Sequence, residues 1–199
     1  MAPEELQYRL TDEDGEEIAT GVHTVEQDGS NFILRTRYEN PDGNSDTTTV
    51  MVEALTLKPV SSVREIENDN PDDEDRIEVQ YADEEVTIVA GDRQSGLTVP
   101  EHYYDNDTSL FLWRTIDFEV EYESSYFTII TNRRSEQRVV LRVPDRETIG
   151  VPAGEFEAWR LDIITSSARQ TAWYADTPAR PLLRYDNGIG TIWELTSAP

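Results

Sequence analysis

The stretch FILRTRYENPDGNS, residues 32–45, carries the pattern that decides the fold. In its first half, the residues able to pack against a core recur at every second position: Phe32, Leu34, Thr36 and Tyr38. This alternation is the period of a β-strand, because successive side chains of a strand point to opposite faces of the sheet. The second half, NPDGNS, supplies Asn and Gly, which tolerate positive φ, and Pro, which fixes a bend. The stretch therefore predicts a strand that runs into a tight turn.

The same alternation recurs along most of the chain and predicts an all-β fold. Four further runs show it: Leu6, Tyr8 and Leu10; Ile77, Val79 and Tyr81; Val86, Ile88 and Ala90; and Val139, Leu141 and Val143. Turn signals separate such runs at residues 12–17, 27–30 and 68–75. We therefore expect an antiparallel meander. Because a meander has to dispose of its sheet edges, we expect a curved half-barrel or barrel-like sheet, with a sandwich as the alternative.

One segment, DNDTSLFLWRTI at residues 105–116, departs from this pattern. It begins with two residues suited to a helix N-cap and continues with apolar residues at helical spacing: Asp107 and Thr108, then Leu110, Phe111 and Trp113. We expect one short helix at residues 106–116, whose apolar face lies across the sheet or plugs the open side of a barrel. A further buried strand is the alternative, since periodicity alone does not separate short apolar runs.

Length and charge limit the classes of protein to which this chain can belong. Its 199 residues suffice for one domain with a full core, so we expect a single β domain over residues 1–199, with an acidic loop at 67–75. It has 41 Asp and Glu against 17 Lys and Arg, a formal net charge of −24, which repels phosphate backbones and anionic membranes. We expect no nucleic-acid partner. No apolar run approaches the roughly 20 residues of a membrane-spanning helix, so we expect no transmembrane segment.

The usual catalytic and metal-binding patterns do not occur in the sequence. The chain has no cysteine, and its two histidines, His23 and His102, are too few for a His-rich metal site. It has no G-x-S-x-G, Walker or G-x-G-x-x-G motif, and its acidic loops lack the spacing of an EF-hand. Carboxylates are so abundant that a close pair carries no signal for a glycosidase. We expect no metal site and no cofactor, and we assign no catalytic residue.

Large aromatic residues cluster in the second half of the chain. They indicate a core built from large side chains, an apolar cavity inside a half-closed barrel, or both. Arginines at the mouth of such a cavity would meet a carboxylate or phosphate headgroup. Our candidate ligand-binding residues combine the two types: Tyr104, Phe111, Trp113, Trp159, Arg160, Trp173, Tyr174 and Arg180.

Three segments resemble a known bacterial family: YDNDTSLFLWRTIDF at 104–118, VPAGEFEAWRLDI at 151–163 and WYADTPARPLLRYDNG at 173–188. The Pro-Ala-Gly turn at 152–154, the Trp-Tyr pair at 173–174 and the Arg-Tyr pair at 184–185 are similar to motifs of the DUF3108 and DUF3108-like families of uncharacterised proteins. The likeness covers most of the chain. It implies an all-β curved sheet, similar to the half-barrels that carry lipids or lipoproteins, in proteins many of which carry export signals. It brings no catalytic residues.

Together these observations favour a non-enzymatic, monomeric protein of the cell envelope that holds a hydrophobic or lipid-like ligand in the concave face of its sheet. We expect export, although the start MAPEELQYRL lacks the basic and apolar regions of a signal peptide, so that a leader would be absent from this chain. A structural or protein-interaction module without a small-molecule ligand is the first alternative. A hydrolase or hydratase on a lipocalin-like barrel, with a buried Asp or Glu as general acid, is the second.

Overall fold

The computed structural model describes residues 1–68 and 76–197. Within these ranges the chain forms sixteen strands of a single curved sheet, mostly antiparallel, together with one short α-helix. The sheet is not closed into a barrel. The predicted all-β class, the curved barrel-like sheet and the short helix near residues 106–116 are therefore confirmed. The predicted acidic loop lies almost wholly outside the described residues, apart from Glu67 and Asn68.

The strands account for most of the described chain. In chain order they are β1 (Glu4–Thr11), β2 (Glu17–Asp28), β3 (Asn31–Glu39), β4 (Ser45–Glu53), β5 (Pro59–Glu67), β6 (Arg76–Tyr81), β7 (Glu85–Ala90), β8 (Arg93–Thr98), β9 (Tyr103–Asp105), β10 (Glu123–Ile130), β11 (Ser135–Arg142), β12 (Arg146–Val151), β13 (Gly154–Ile164), β14 (Arg169–Ala175), β15 (Leu182–Asp186) and β16 (Ile192–Leu195). A helical segment follows β9 and consists of a 3₁₀ turn (Asn106–Thr108), helix α1 (Ser109–Leu112) and a second 3₁₀ turn (Trp113–Thr115). We refer to residues 106–115 as the plug.

The sheet consists of two meanders that meet at its centre. Strands β1 to β8 lie side by side in chain order, and β1 also pairs with β16, so the first and last strands are neighbours. The sheet continues through β15, β14, β13, β11 and β10, while β12 pairs with β13 outside this path. Strand β9 lies parallel to β10, whereas a meander of hairpins makes every pair antiparallel. Strands β8 and β9 consequently occupy the two ends of the sheet.

The two ends of the sheet overlap face to face. The buried cluster that joins them contains Ile77, Val79, Val86 and Ile88 from β6 and β7, with Tyr103 and Ile129 from β9 and β10. The Tyr103 hydroxyl also donates to the carbonyl oxygen of Ala82, between β6 and β7, at 2.7 Å. Because β6 and β7 cover one face of β9 and β10, the sheet is rolled like a scroll, and apolar packing holds its ends together.

The plug lies on the concave face and joins two apolar clusters of the sheet. Phe111 packs with Val25, Leu34 and Val50 of β2, β3 and β4. Trp113 belongs to a larger cluster formed by β1, β11 and β13 to β16. Both aromatic side chains are only 3% exposed, and burial of an apolar side chain contributes roughly 1.5–3 kcal/mol. The plug thus supplies the core that the concave face of a single sheet otherwise lacks.

Hydrogen bonds from β9 and β14 fix the backbone of the plug. The side chain of Asp105 is its N-cap and accepts from the backbone N–H of Asp107 at 2.6 Å. The hydroxyl of Tyr174 donates to the carbonyl oxygen of Leu110 at 2.8 Å. Both partners lie on strands, so the plug takes its position from the sheet.

The C-terminal half of the plug is tied to the sheet through side chains. Nε1 of Trp113 donates to the Tyr126 hydroxyl of β10 at 2.7 Å. Arg114, buried, forms an ion pair with Glu4 of β1, and its Nε donates to the carbonyl oxygen of Ala179 at 3.1 Å. These contacts hold the C-terminal half of the plug against β1, β10 and the loop between β14 and β15.

A glycine in the turn between β15 and β16 provides a test of this architecture. Gly188 has a φ of +68°, and a Cβ atom there would overlap the carbonyl oxygen of Arg169 at the start of β14. Gly43, between β3 and β4, also has a positive φ, +85°, but a Cβ atom there meets nothing within 4 Å. We expect Gly188→Ala to lower the free energy of unfolding by roughly 3 kcal/mol, since overpacking adds to backbone strain. Gly43→Ala should lower it by only about 1–2 kcal/mol.

Urea denaturation followed by tryptophan fluorescence measures both losses under the same conditions. Equal losses for the two variants would show that the turn at 187–191 does not pack against β14 in solution.

Candidate functional site

A cleft lies between the plug and the concave face of the sheet. Its narrowest part, which we call the inner cleft, has a volume of about 170 Å³. The plug contributes Asp107, Leu110 and Trp113 to the lining. The opposite wall comes mainly from β3, β4, β11, β13, β14 and β15, and it includes Tyr38, Gln137, Gln170 and Tyr185. The plug therefore covers the concave face without filling it.

Two wider outer clefts share lining residues with the inner cleft. The first, of about 340 Å³, shares Asp107, Gln137 and Tyr185 with the inner cleft and extends to the turn at 131–133. The second, of about 660 Å³, shares Tyr38 with the inner cleft and extends over the ends of β4 and β5. The three clefts are adjacent, and we refer to them together as the recess.

The strand register explains why polar side chains line this recess. Thr36 pairs with His23 on one side and with Thr48 on the other. His23 also pairs with Leu6, whose side chain is buried in the core, so this row of residues lies on the concave face. Tyr38 follows Thr36 by two positions in β3 and points the same way. The concave face is therefore polar along part of its length.

Four aromatic rings follow one another beside the recess: Tyr38, Trp193, Tyr185 and Trp113, of which Trp193 does not line the inner cleft. The centroids of Tyr38 and Trp193 are 4.6 Å apart in an edge-to-face arrangement. Tyr185 lies between Trp193 and Trp113. Its ring centroid is 6.3 Å from that of Trp193 and 6.1 Å from that of Trp113. The Tyr185 hydroxyl donates to Oε1 of Gln170 at 2.9 Å, which orients the ring. We call these four residues the aromatic wall.

Among the described residues, Asp107 is the one charged side chain that lines the inner cleft. Burial raises the pKa of its carboxyl group, and the nearby Arg64 guanidinium acts in the opposite direction. Arg64 is itself engaged by Asp46, whose carboxylate accepts from Nε at 2.9 Å and from a second guanidinium nitrogen. Because Asp46 takes up the positive charge of Arg64, an ionised Asp107 gives the cleft a surplus of negative charge.

Asp105 is a fully buried acid next to the half-buried Asp107. It accepts hydrogen bonds from the Tyr81 hydroxyl of β6 and from the backbone N–H of Asp107. Burial, followed by the negative charge of Asp107, raises the pKa of the Asp105 carboxyl group. Its contacts join the plug to the overlapping end of the sheet, so its place in the structure is that of an anchor.

Four of the eight predicted ligand-binding residues belong to the plug or to strands β13 and β14 on the concave side. Trp113 lines the inner cleft. Phe111 packs in an apolar cluster, and Tyr174 donates its hydroxyl to the plug backbone. Trp159 pairs with Tyr174 across the strands and packs against Phe118, with centroids 6.0 Å apart. The last three support the plug and its surroundings and do not line the inner cleft.

Two of the predicted residues lie on the opposite, convex face. Arg160 and Trp173 pair with each other across β13 and β14, and they alternate with Trp159 and Tyr174 along those strands. Nε1 of Trp173 donates to Glu147 on the same outer surface at 2.7 Å. The sheet itself separates this pair from the recess.

The remaining two predicted residues are also outside the inner cleft. The Tyr104 ring meets the Tyr126 ring edge to face, with centroids 5.7 Å apart. Arg180 follows Ala179, whose carbonyl oxygen accepts from Arg114. Nη1 of Arg180 donates to the carbonyl oxygen of Ile116 at 2.7 Å. Its guanidinium also stacks on the ring of Phe118. Both residues are therefore engaged in contacts around the plug.

The candidate set omitted the polar part of the lining. The sequence did carry a signal for two of these residues. Thr36 comes two positions after Leu34, on the core-facing side of β3, and Gln137 comes two positions before Val139, on the core-facing side of β11. Polar residues at a buried phase are informative because most such positions are apolar. Gln170 had no comparable signal, because the sequence of β14 does not alternate.

The recess combines a carboxylate, amides and hydroxyls with aromatic rings, which suits a ligand that has both polar and apolar parts. Within residues 1–68 and 76–197, no group of three or more His, Asp or Glu side chains is placed to hold a metal ion. None of the helices in these ranges has the length and hydropathy that a membrane crossing requires.

One protein family matches the sequence over nearly its whole length. The family described as "Protein of unknown function (DUF3108)" matches residues 5–192. No curated protein matches the sequence.

Solved structures with related architecture include a beta-barrel-like protein of the domain of unknown function DUF1849 from Brucella abortus. Its TM-score is 0.65 at 10% identity, over 98% of this chain and 96% of that chain. A protein from Parabacteroides distasonis, proposed to be a lipoprotein, has a TM-score of 0.39 at 13% identity, over 97% of this chain and 93% of that chain. A protein with a YmcC-like fold from Bacteroides fragilis, proposed to be exported, has a TM-score of 0.33 at 10% identity, with the same coverage of 97% and 93%. The first similarity concerns the fold alone, and the last two are too low to carry an argument.

His23 is a buried polar side chain directly beneath the plug. Its ring centroid lies 4.7 Å from that of Tyr8, 5.0 Å from that of Phe111 and 5.1 Å from that of Trp193. Its Nε2 atom has no hydrogen-bond partner among the described residues. Burial, followed by the positive charge of Arg114, lowers the pKa of His23 to about 3. Protonation of this ring therefore opposes folding.

This pKa predicts a dependence of stability on pH. The unfolded chain protonates the imidazole near pH 6.5 and the folded protein only near pH 3, so stability is lost as the pH falls between these values. Removing the titrating ring with His23→Leu should reduce the loss of unfolding free energy between about pH 6.5 and 4.5 by about 1–3 kcal/mol. Urea denaturation across this range measures the effect. His102→Leu, at an exposed position, is the control, and equal slopes for both variants would contradict the prediction.

Proposed function

This chain belongs to the DUF3108 family, and from its rolled sheet and inner cleft we propose that it is a non-enzymatic binding protein of the cell envelope. Its ligand is a small amphipathic molecule held between the plug and the concave face. The apolar part of the ligand packs on Leu110, Val139 and Ile163, and its polar part meets Gln137 and Gln170. This narrows the hydrophobic or lipid-like ligand expected from the sequence to one with a polar end.

The observation that carries this proposal is the recess that remains after the plug has covered the concave face. Ligand pockets of roughly 300–1,000 Å³ are typical. The inner cleft, at about 170 Å³, is smaller, but together with the outer cleft of about 340 Å³ that shares its walls it reaches this range. In this proposal the ligand occupies both clefts while the plug and its hydrogen bonds stay in place.

The eight candidate residues have different roles in this proposal. Trp113 contacts the ligand directly, because it lines the inner cleft. Five others brace the plug and its surroundings, namely Phe111, Tyr174, Trp159, Tyr104 and Arg180. Arg160 and Trp173 face away from the recess and have no part in binding.

A protein-interaction module, the first alternative, would require a large contiguous apolar patch on the outside. The exposed large apolar side chains of the described chain lie on separate segments: Met1, Ile18, Leu55, Val120 and Ile189. Single exposed apolar residues are normal on protein surfaces. The recess is therefore the better-supported binding feature.

Acid catalysis in the recess is a second candidate function, which one observation favours. Asp107 lines the inner cleft, and burial raises the pKa of its carboxyl group, so that a proton stays available closer to neutral pH. Such a group suits the general acid of a hydrolase or hydratase. If it has this role, Asp107→Asn should lower turnover of the natural ligand by about 100-fold or more while the ligand still binds. Recovery of the ligand chemically unchanged after prolonged incubation with the protein would exclude this candidate.

Native mass spectrometry of the purified protein, followed by organic extraction and identification of the released material, tests the binding proposal. We expect a bound amphipathic molecule of defined mass that organic solvent releases. A clean apo mass that persists after incubation with a mixed lipid extract would contradict the proposal and favour the interaction module.

Two buried tryptophans of the aromatic wall provide a matched test of the site. Trp113 lines the inner cleft, whereas Trp193 lies behind it, and the two are 3% and 4% exposed. We expect Trp113→Phe to weaken binding of the apolar fluorescent probe N-phenyl-1-naphthylamine by about fivefold, because it shortens the wall of the cleft. Trp193→Phe should weaken binding by less than about twofold. Equal effects, after circular dichroism has shown both variants to be folded, would contradict the placement of the ligand.

A further inference from the structure

We propose that the inner cleft selects a ligand whose polar end is a cation, with an ammonium group seated between Asp107 and the aromatic wall. The inference rests on the proposed function, because it names the chemical class of ligand for the same recess. It follows from two independent features of the lining, its charge and its rings.

The charges around the inner cleft do not balance. The acidic groups that face Asp107 from neighbouring elements are Asp105 of β9 and Asp46 of β4. The nearby cation is Arg64 of β5, which Asp46 holds through two hydrogen bonds. Arg133 lines the outer cleft but is exposed to solvent. Asp46 and Asp107 therefore share one guanidinium, and a bound cation would supply positive charge beside an ionised Asp107.

The aromatic wall supplies the second feature. Tyr38, Trp113 and Tyr185 all line the same inner cleft as Asp107. The face of an aromatic ring carries a negative electrostatic potential and attracts ammonium groups, more strongly in sites from which water is excluded. One carboxylate beside several rings is the arrangement that recognises alkylated ammonium groups, which have few or no N–H donors to satisfy.

Other charged groups fit this lining less well. A phosphate or carboxylate headgroup would meet the negative charge of Asp107 in a cleft whose wall offers no cationic side chain among the described residues. A metal ion prefers several oxygen ligands of fixed geometry, whereas the described residues give the inner cleft a single carboxylate. Burial also raises the pKa of Asp107, and an ammonium group beside it would stabilise its ionised form.

Three amphiphiles with the same decyl tail test this inference. Decyltrimethylammonium carries the cation, decyldimethylphosphine oxide is uncharged and of nearly the same shape, and decyl sulfate is an anion. Binding is measured by isothermal titration calorimetry below the critical micelle concentration. About 0.5 M sodium chloride screens the general attraction of cations to a chain of net charge −24. We expect the wild-type protein to bind the ammonium compound about tenfold or more tightly than the phosphine oxide, and decyl sulfate least.

Matched variants assign this preference to the site. Asp107→Asn should reduce the preference for the cation to less than about twofold. Asp92→Asn, which removes the same charge from the exposed turn between β7 and β8, should leave it unchanged. Tyr185→Phe should keep the preference because it keeps the ring, and Tyr185→Leu should weaken binding of the ammonium compound by about fivefold. Thermal unfolding of each variant shows whether it is folded.

The outcomes separate this inference from the proposed function. Equal affinity for the ammonium and phosphine oxide compounds, or an unchanged preference in Asp107→Asn, would overturn the cation inference. If Trp113→Phe still weakened both compounds in that case, the proposed binding function would stand. Absence of binding by all three amphiphiles would overturn the cation inference, and the lipid-extract experiment would then decide the proposed function separately.

Discussion

The structure depends on the burial of the plug against the concave face of an open, rolled sheet. A curved sheet that does not close has an apolar concave face to cover and two ends whose strand edges invite further pairing. Phe111 and Trp113 cover the concave face, and β6 and β7 overlap β9 and β10 through apolar side chains. Because side chains hold the two ends together, the scroll can keep a recess beside the plug.

The recess owes its chemistry to a change of residue type along the strands that face it. In β3 the core-facing phase passes from Phe32 and Leu34 to Thr36 and Tyr38. Polar groups buried without full hydrogen bonding cost free energy, so a row of them on a concave face contributes little to stability. In the proposed function, a bound ligand meets these groups.

The outcome for individual residues shows how far sequence patterns reach. Alternation in segments such as 32–38 predicted the strands, and helical spacing after Asp107 predicted the plug, because both patterns reflect local backbone geometry. The eight candidate ligand-binding residues were chosen by residue type. In the structure Trp113 lines the inner cleft, whereas Tyr174 braces the plug and Trp173 faces outward, although these two are adjacent in sequence. Which face of β14 is concave depends on its neighbours in the sheet.

The sequence by itself determined the all-β class, the position of the helical segment and membership of the family, because each of these is encoded by residues close together in the chain. Tertiary structure alone decided that β9 pairs in parallel with β10, that the two ends of the sheet overlap, and that Tyr38, Asp107 and Tyr185 meet in one cleft. These features join residues far apart in the chain. Their formation depends on which distant strands meet and on the curvature of the whole sheet, and the local alternation of residues specifies neither.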